Sequence, residues 1–295
     1  MNKEIKALKK ERIDLYLVFV LDETRSQIQA KIKKNLILVN NNQVKPNFVL
    51  NIGDLITIKE EEKIDYLKAI NLDLEVIYED NYLAVINKPQ GLITHPGHSY
   101  QGITLINGLK YLFPKLSNFE NDPLRPGVVH RLDKETSGIM IIAKDEEAHK
   151  LLKEAFQRRK IQKVYEAIVH KPFLETTFTI DLPIKRHELK RQKMAVNLEG
   201  RKALTKGFLI SQTDKYSYLK LELITGRTHQ LRVHLSYIGH PILGDEIYGF
   251  KKDTNRLYLH AKAITFNHPI TKKELRFETK LPNYFIEKLN ELRLI

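Results

Sequence analysis

The residues best suited to chemistry lie in one short loop, where a single carboxylate stands among cations. The stretch from 127 to 144 reads GVVHRLDKETSGIMIIAK, and its apolar residues are interrupted by HRLDKETSG until they resume at Ile139. Asp133 lies between Arg131 and Lys134 in this interruption. Nearby cations keep a carboxylate charged, and therefore basic or nucleophilic. An acid in a loop joining two predicted strands is typical of a catalytic group, but Asp is equally typical of a turn cap.

Histidine and cysteine decide what other chemistry is open to the chain. There is no cysteine, which excludes disulfides, thiolate catalysis and thiolate metal sites, and fits a reducing cytoplasm. No HExxH motif occurs in the sequence. His229 and His234 are five residues apart, so on a helix their side chains would point about 140° apart. We therefore expect no metal site at the three histidine pairs, which are His95 with His98, His229 with His234, and His260 with His268.

The net charge indicates which class of partner the chain binds. The chain of 295 residues has 49 Lys and Arg against 36 Asp and Glu, a net charge of +13, so its surface field attracts polyanions such as nucleic acid or an anionic membrane. The longest early apolar stretch, Leu15 to Leu21, is followed by Asp22 and Glu23. It is too short to cross a bilayer and lacks a small-residue cleavage site, so we expect neither a membrane span nor a signal peptide.

A second cluster of polar residues extends from 222 to 249. A helix is predicted from about His229 to Ile238, with Thr228 as its cap and Gly239 as its stop. Gly226 precedes the predicted helix start, where free backbone amides and Arg227 or Arg232 could meet an anion, whereas a solvated basic helix would explain the same residues.

Tyr165 lies in a segment that alternates like a strand, KVYEAIV from 163 to 169. Before it, DEEAHKLLKEAFQRRK predicts a helix by its apolar stripe, its acidic start and its basic end. An aromatic residue in a strand ordinarily packs on a core, so only its position relative to Asp133 could give Tyr165 a role in catalysis.

The domain organisation follows from the same patterns. Residues 1–60 predict a small α+β domain, in which Ile28 and Ile32 lie four apart on one face of a helix. A charge-rich segment without turn residues, 61–73, predicts a linker. Residues 74–295, with short strands and isolated helices, form the second predicted domain.

Taken together, the motifs of the second domain resemble those of the RluA family of pseudouridine synthases. HRLDxxTSG followed by GRTHQ[IL]RVH is specific, whereas RLD alone would be weak. The matching segments occur in the family's order and are NKPQGLITHPG at 87–97, GVVHRLDKETSGIMIIAK at 127–144, KVYEAIV at 163–169, TGRTHQLRVHL at 225–235, GDEIYG at 244–249 and LHA at 259–261. The first domain resembles the RNA-binding domain of the ribosomal protein S-four type. Its usual Val-Asn-Gly turn reads Val39-Asn40-Asn41-Asn42, and Asn tolerates left-handed backbone.

The resemblance implies an α+β catalytic domain with a central mixed, largely antiparallel sheet. It also implies isomerisation of uridine to pseudouridine in RNA, without metal or organic cofactor. By resemblance Asp133 is the catalytic carboxylate, Tyr165 stacks on the target base and acts near its carbon five, and Arg232 orients Asp133. Arg131 would occupy the space that the displaced uridine leaves. The S-four-like domain would bind RNA through basic side chains of its second helix, for which the candidates are Arg25, Lys33 and Lys34.

Several alternatives stay open at this point. Asp133 could attack the sugar, attack the ring or abstract a sugar proton. A non-catalytic RNA-binding or ribosome-assembly protein would share the charge and the first domain, but would not need Asp133, Tyr165 and Arg232 together. A metal-dependent nuclease would need a ligand cluster that the sequence does not offer. The extra domain favours large-subunit ribosomal RNA, as for the RluC and RluD type, over tRNA. We expect a monomer.

Overall fold

The protein folds into two compact units, Met1–Asp65 and Tyr66–Ile295, each of which contains both helices and strands. This confirms the predicted α+β class. The structure is a computed structural model, and it describes residues 3–59, 68–96, 102–119, 122, 124–190, 193–250 and 254–295.

The smaller unit packs two helices against short strands. Its sheet has the order β1-β6-β3-β4, and β2 pairs with β5. The elements are β1 (Lys3–Lys6), β2 (Glu11–Arg12), α1 (Ile13–Leu21), α2 (Arg25–Lys33), β3 (Ile37–Val39), β4 (Asn42–Gln43), β5 (Val49–Leu50) and β6 (Leu55–Ile58). Ile28 and Ile32 of α2 are buried in this core, as their spacing predicts. A capping box starts α2, because Thr24 Oγ1 accepts from Gln27 N while the Gln27 side chain accepts from Thr24 N.

The turn between β3 and β4 keeps its shape without glycine. Asn40 and Asn41 have φ angles of 48° and 63°, the left-handed conformation that Asn tolerates. The side-chain oxygen of Asn40 also accepts from Leu55 N at 2.9 Å, which ties the turn to β6.

The larger unit is built on a nine-stranded sheet whose main path runs β11-β14-β15-β10-β16-β9-β8-β7, with β17 paired to β16. Its elements are β7 (Glu75–Glu79), β8 (Leu83–Lys88), α3 (Leu105–Leu112), β9 (Ser137–Ala143), α4 (Glu146–Gln157), β10 (Gln162–His170), β11 (Thr177–Asp181), β12 (Ile184–Arg186), β13 (Met194–Val196), β14 (Leu204–Gln212), β15 (Tyr216–Leu223), α5 (Gln230–Tyr237), β16 (Leu259–Asn267), β17 (Glu274–Glu278) and α6 (Asn283–Glu291). Only the β16–β9 pairing of this sheet is parallel among the described residues. The predicted mixed, largely antiparallel sheet is therefore confirmed.

Strand β9 is buried on both faces of the sheet. Every residue of β9 is buried, and its side chains alternate between two cores. Met140 and Ile142 pack in the cluster that contains residues of α3 and α5, whereas Ile139 and Ile141 pack in the cluster that contains Leu152 of α4. Burial on both sides explains why the sequence of β9 is an almost unbroken apolar run.

The segment before Asp133 does not form the strand that its apolar letters predict. Val128 makes only an isolated bridge to Ile142. The side chain of His130 then takes the place of a backbone partner, because its Nε2 accepts from Ile141 N at 2.9 Å. Asp133 is therefore in an irregular loop that leads into β9, rather than in a turn between two strands.

Helix α5 begins one residue later than predicted. His229, not Thr228, is at the cap position, and its φ of 56° is left-handed with no side-chain cap bond. The predicted end is confirmed, since Gly239 follows the helix with a φ of 86°.

The predicted linker from 61 to 73 is described only from Lys68 onward. Ile70 N donates to Asn107 O at 3.0 Å, and Asn107 Nδ2 donates to Lys68 O at 2.9 Å. Leu72 packs against the core of the larger unit. The end of the predicted linker thus lies against α3 and forms part of the larger unit.

Candidate active site

Asp133 lies at a cavity of about 130 Å³ in the larger unit. Its side chain is 20% exposed, enough to reach a bound molecule while it is surrounded mostly by protein. The cavity brings together the three predicted catalytic residues with apolar neighbours, and its lining includes Leu132, Asp133, Tyr165, Arg232 and Leu259.

Arg232 of α5 is the cation that contacts Asp133. Its Nη1 lies 3.3 Å from Asp133 Oδ2, although the two residues are 99 positions apart in the chain. The neighbours in sequence do not take this part: Lys134 pairs with Glu135, and Arg131 Nη1 lies 3.3 Å from His95 Nε2. Asp133 is therefore paired with a cation of a distant helix, and not with the cations that flank it in sequence.

Asp245 fixes Arg232 from the other side. Arg232 Nε and Nη2 donate to the two carboxylate oxygens of Asp245 at 2.7 and 2.8 Å, a bidentate pair. Asp245 is fully buried and also accepts from the backbone N of Ile247 and Tyr248, both at 3.0 Å. Burial alone would lower the pKa of Arg232, but its bonds to Asp245 and the charges of Asp245 and Asp133 raise it. Arg232 is therefore a fixed, permanent cation.

His229 is a neighbour of Asp133 that the sequence interpretation considered only as a metal ligand. Its Nε2 lies 3.8 Å from Asp133 Oδ2, and its Nδ1 is 2.8 Å from Tyr248 Oη. That hydroxyl also accepts from Met194 N at 2.7 Å. Burial, the largest effect, lowers the pKa of His229. The GDEIYG motif, which contains Asp245 and Tyr248, is the feature of the sequence that could have indicated these contacts of Arg232 and His229.

Tyr165 reaches the cavity from β10. It lies opposite Leu221 of β15 and Ala261 of β16, and the register of β10 against β16 shifts between Val164 and Tyr165. Such an irregularity re-aims a side chain. Burial and then the charge of Asp133 raise the pKa of Tyr165. Its ring therefore lines the cavity as a neutral aromatic surface beside a carboxylate.

The end of β8 and the segment that follows it hold the loop of Asp133 in place. Lys88 is completely buried, and its Nζ donates to the carbonyl of Lys134 at 3.2 Å and to two carbonyls of its own segment. Thr94 Oγ1 donates to Leu132 O at 2.9 Å. Burial lowers the pKa of Lys88 to about 8. These bonds satisfy loop carbonyls on both sides of Asp133 and fix its backbone.

The remaining predicted site residues are the four RNA-binding candidates. Arg131 also lines the cavity of Asp133, and its side chain is exposed. In the smaller unit, Arg25 Nε lies 3.0 Å from the buried carboxylate of Asp14, while half of the Arg25 side chain is exposed. Lys33 and Lys34 are exposed at the end of α2.

The described residues contain no group of three or more potential ligands that could hold a metal ion. His98 lies outside them. His234 bonds Thr205 and a backbone carbonyl, and His260 bonds Ser137. No helix in this part of the chain is long and apolar enough to span a bilayer.

Comparison with known proteins shows to which family the chain belongs. A family model described as RNA pseudouridylate synthase matches residues 82–237. RNA pseudouridine synthase YlyB of Bacillus subtilis is 38% identical over 290 residues, which cover 97% of this chain and 95% of the relative. Ribosomal large subunit pseudouridine synthase D of Pseudomonas aeruginosa is 36% identical over 288 residues, 92% and 88% of the two chains.

A solved structure agrees with these relatives. Human RNA pseudouridylate synthase domain containing 4 superposes with a TM-score of 0.59 at 29% identity, covering 75% of this chain and 94% of that chain. The chain therefore belongs to the RluA family of RNA pseudouridine synthases. Its activity is the isomerisation of uridine to pseudouridine in RNA.

Proposed function

We propose that Asp133 is the carboxylate that carries out this isomerisation. The observation that supports the proposal is the convergence of Asp133, Arg232 and Tyr165 on one cavity from a loop, a helix and a strand. The reaction breaks the bond between the sugar and a ring nitrogen, turns the base and joins the sugar to carbon five. It therefore needs one ionised carboxylate and an enclosed pocket that retains the detached uracil.

Each neighbour has a separate part in this proposal. Arg232, held by Asp245, pairs with Asp133 and orients its carboxylate toward the cavity. The ring of Tyr165 stacks on the uracil and its hydroxyl acts near carbon five. Arg131, exposed at the rim, fills the stack that the uridine leaves, because a guanidinium plane can replace lost base stacking.

We infer that the substrate is large-subunit ribosomal RNA. The relative from Pseudomonas aeruginosa is named for that RNA and covers most of this chain. The smaller unit, with Arg25, Lys33 and Lys34 on α2, would act as an S-four-like RNA-binding domain. A cytoplasmic monomer, without a cofactor, completes the proposal.

The direct test is pseudouridine mapping after incubation of the purified protein with unmodified ribosomal RNA and, separately, with tRNA. New pseudouridine at a defined position of the large-subunit RNA is the expected result. Modification of tRNA alone would overturn the proposed substrate. Binding of either RNA with no pseudouridine formed would favour the alternative of a non-catalytic RNA-binding protein.

A further inference from the structure

A second cavity, of about 370 Å³, adjoins the one that contains Asp133. Tyr165, Arg131 and Gly226 line both cavities, so the two share a wall. Four cations line the second cavity, and none of its lining residues is Asp or Glu. They are Arg131, Arg159, Lys163 and Arg227.

Lys163 is the most enclosed of these cations. It lies on β10 two residues before Tyr165, and its Nζ is 6.0 Å from the ring centroid of Phe156. Burial lowers its pKa to about 8, and no neighbouring carboxylate opposes that shift. The side chain of Lys163 is partly buried, and an ammonium taken out of water ordinarily has an acidic partner. Gly226 also lines the cavity, and the Nζ of Lys163 lies 3.6 Å from the point where a Cβ on Gly226 would be.

Like charges act on Arg227. Burial, followed by the charges of Arg201 and Arg159, lowers the pKa of Arg227. Four cations around a cavity whose lining contains no carboxylate attract an anion. A bound phosphate would also offset the repulsion between Arg159 and Arg227.

We propose that this cationic cavity binds a backbone phosphate of the RNA, adjacent to the nucleotide whose base enters the cavity of Asp133. The inference rests on the proposed function. The shared wall at Tyr165 places the two ligands side by side, so one nucleotide chain can occupy both cavities. Lys163 then positions the substrate by charge while Asp133 performs the reaction.

The first test uses thermal unfolding with inorganic phosphate as the probe and chloride at equal ionic strength as the reference. Lys163→Met is compared with Lys273→Met, since Lys273 is exposed in the turn between β16 and β17 and does not line the cavity. In chloride we expect the Tm of Lys163→Met to equal or exceed that of the wild type, because a partly buried cation with no carboxylate partner among the described residues is removed. Phosphate should raise the Tm of the wild type and of Lys273→Met more than that of Lys163→Met.

The second test measures binding of a short oligouridylate as a function of salt. Lys163→Met should reduce the slope of log K against log salt by about 0.7, the value for one phosphate contact on a single strand. Lys163→Arg should keep the slope of the wild type. Equal slopes and equal phosphate shifts in the two methionine variants would overturn the proposal. Both readouts are binding measurements, so they are independent of whether Asp133 is the catalytic group.

Discussion

The position of Asp133 and Arg232 depends on a chain of contacts between single residues. Asp133 meets only one nitrogen of Arg232, whereas Asp245 takes two and receives two backbone N–H groups as well. Arg232 is therefore positioned chiefly by Asp245, which never reaches the cavity. The guanidinium divides its donors between a structural acid and the proposed catalytic acid.

Asp245→Asn should disable the site while leaving Asp133 in place. The substitution leaves a buried guanidinium without its main counter-charge, so we expect the free energy of unfolding to fall by about 3 kcal/mol. The isomerisation rate should fall as well, because Arg232 is free to turn away from Asp133. Denaturant unfolding and single-turnover kinetics measure the two effects. Native stability with native activity would show that Arg232 needs no second acid.

The sequence predicted the residue types of the site better than their contacts. Asp133, Tyr165 and Arg232 stand out through their motifs, and all three line one cavity. The sequence wrongly suggested that chain neighbours hold Asp133, because adjacency does not determine where a long side chain points. His229 received no role in catalysis because its contacts with Asp133 and Tyr248 depend on the tertiary fold.

At the scale of elements, the parallel contact between β9 and β16 determines where the loop of Asp133 enters the sheet. Gly138 pairs with Ala261 in this contact and has a φ of 119°. A Cβ at Gly138 would lie 2.3 Å from the carbonyl oxygen of Ala261, closer than any real contact. The glycine of the TSG motif is therefore a requirement of strand packing.

Gly138→Ala should lower the free energy of unfolding by about 3 kcal/mol or more, because backbone atoms of β16 must move. Gly239→Ala is the matched control in the same unit. Gly239 also has a positive φ, 86°, but nothing lies within 4 Å of its added Cβ, so only backbone strain of about 1 kcal/mol is expected. Chemical denaturation measures both variants. Equal losses would mean that the close approach of β16 is not the reason for the glycine.

Helices and strands with a regular apolar period could be predicted from the sequence. A segment whose side chain, rather than its backbone, bonds the neighbouring strand could not. The helix at α4 follows from its apolar stripe, and Asp145 caps it by accepting from Ala148 N at 2.9 Å. The strand expected at 128–130 fails because His130 uses its ring to satisfy β9. Sequence periodicity reports burial, and it does not distinguish a backbone partner from a side-chain partner.

At the scale of the whole molecule, the net charge of +13 lies mostly in the larger unit, because residues 1–65 have 12 Lys and Arg against 10 Asp and Glu. Each unit has a core of its own. The larger unit contains the candidate site, and the smaller one presents exposed lysines at the end of α2. A basic surface separate from the catalytic cavity contributes affinity through phosphate contacts.

Replacing Lys33 and Lys34 together by Ala should weaken RNA binding and leave the single-turnover rate at saturating RNA unchanged. If each lysine contacts one phosphate of a duplex, the slope of log K against log salt should decrease by about 2. Lys3→Ala with Lys45→Ala removes the same charge from exposed positions of the same unit and serves as the control. Equal effects of the two double variants would mean that only net charge matters.

The central claim is that Asp133 carries the chemistry, and its most direct test is the single-turnover rate of pseudouridine formation by Asp133→Asn on an RNA that the wild type modifies. Asn has nearly the shape of Asp and can still accept from Arg232, so folding and RNA affinity should be retained. The rate should fall by about a thousandfold or more, because the amide can neither attack nor take a proton. A rate within tenfold of the wild type would contradict the account.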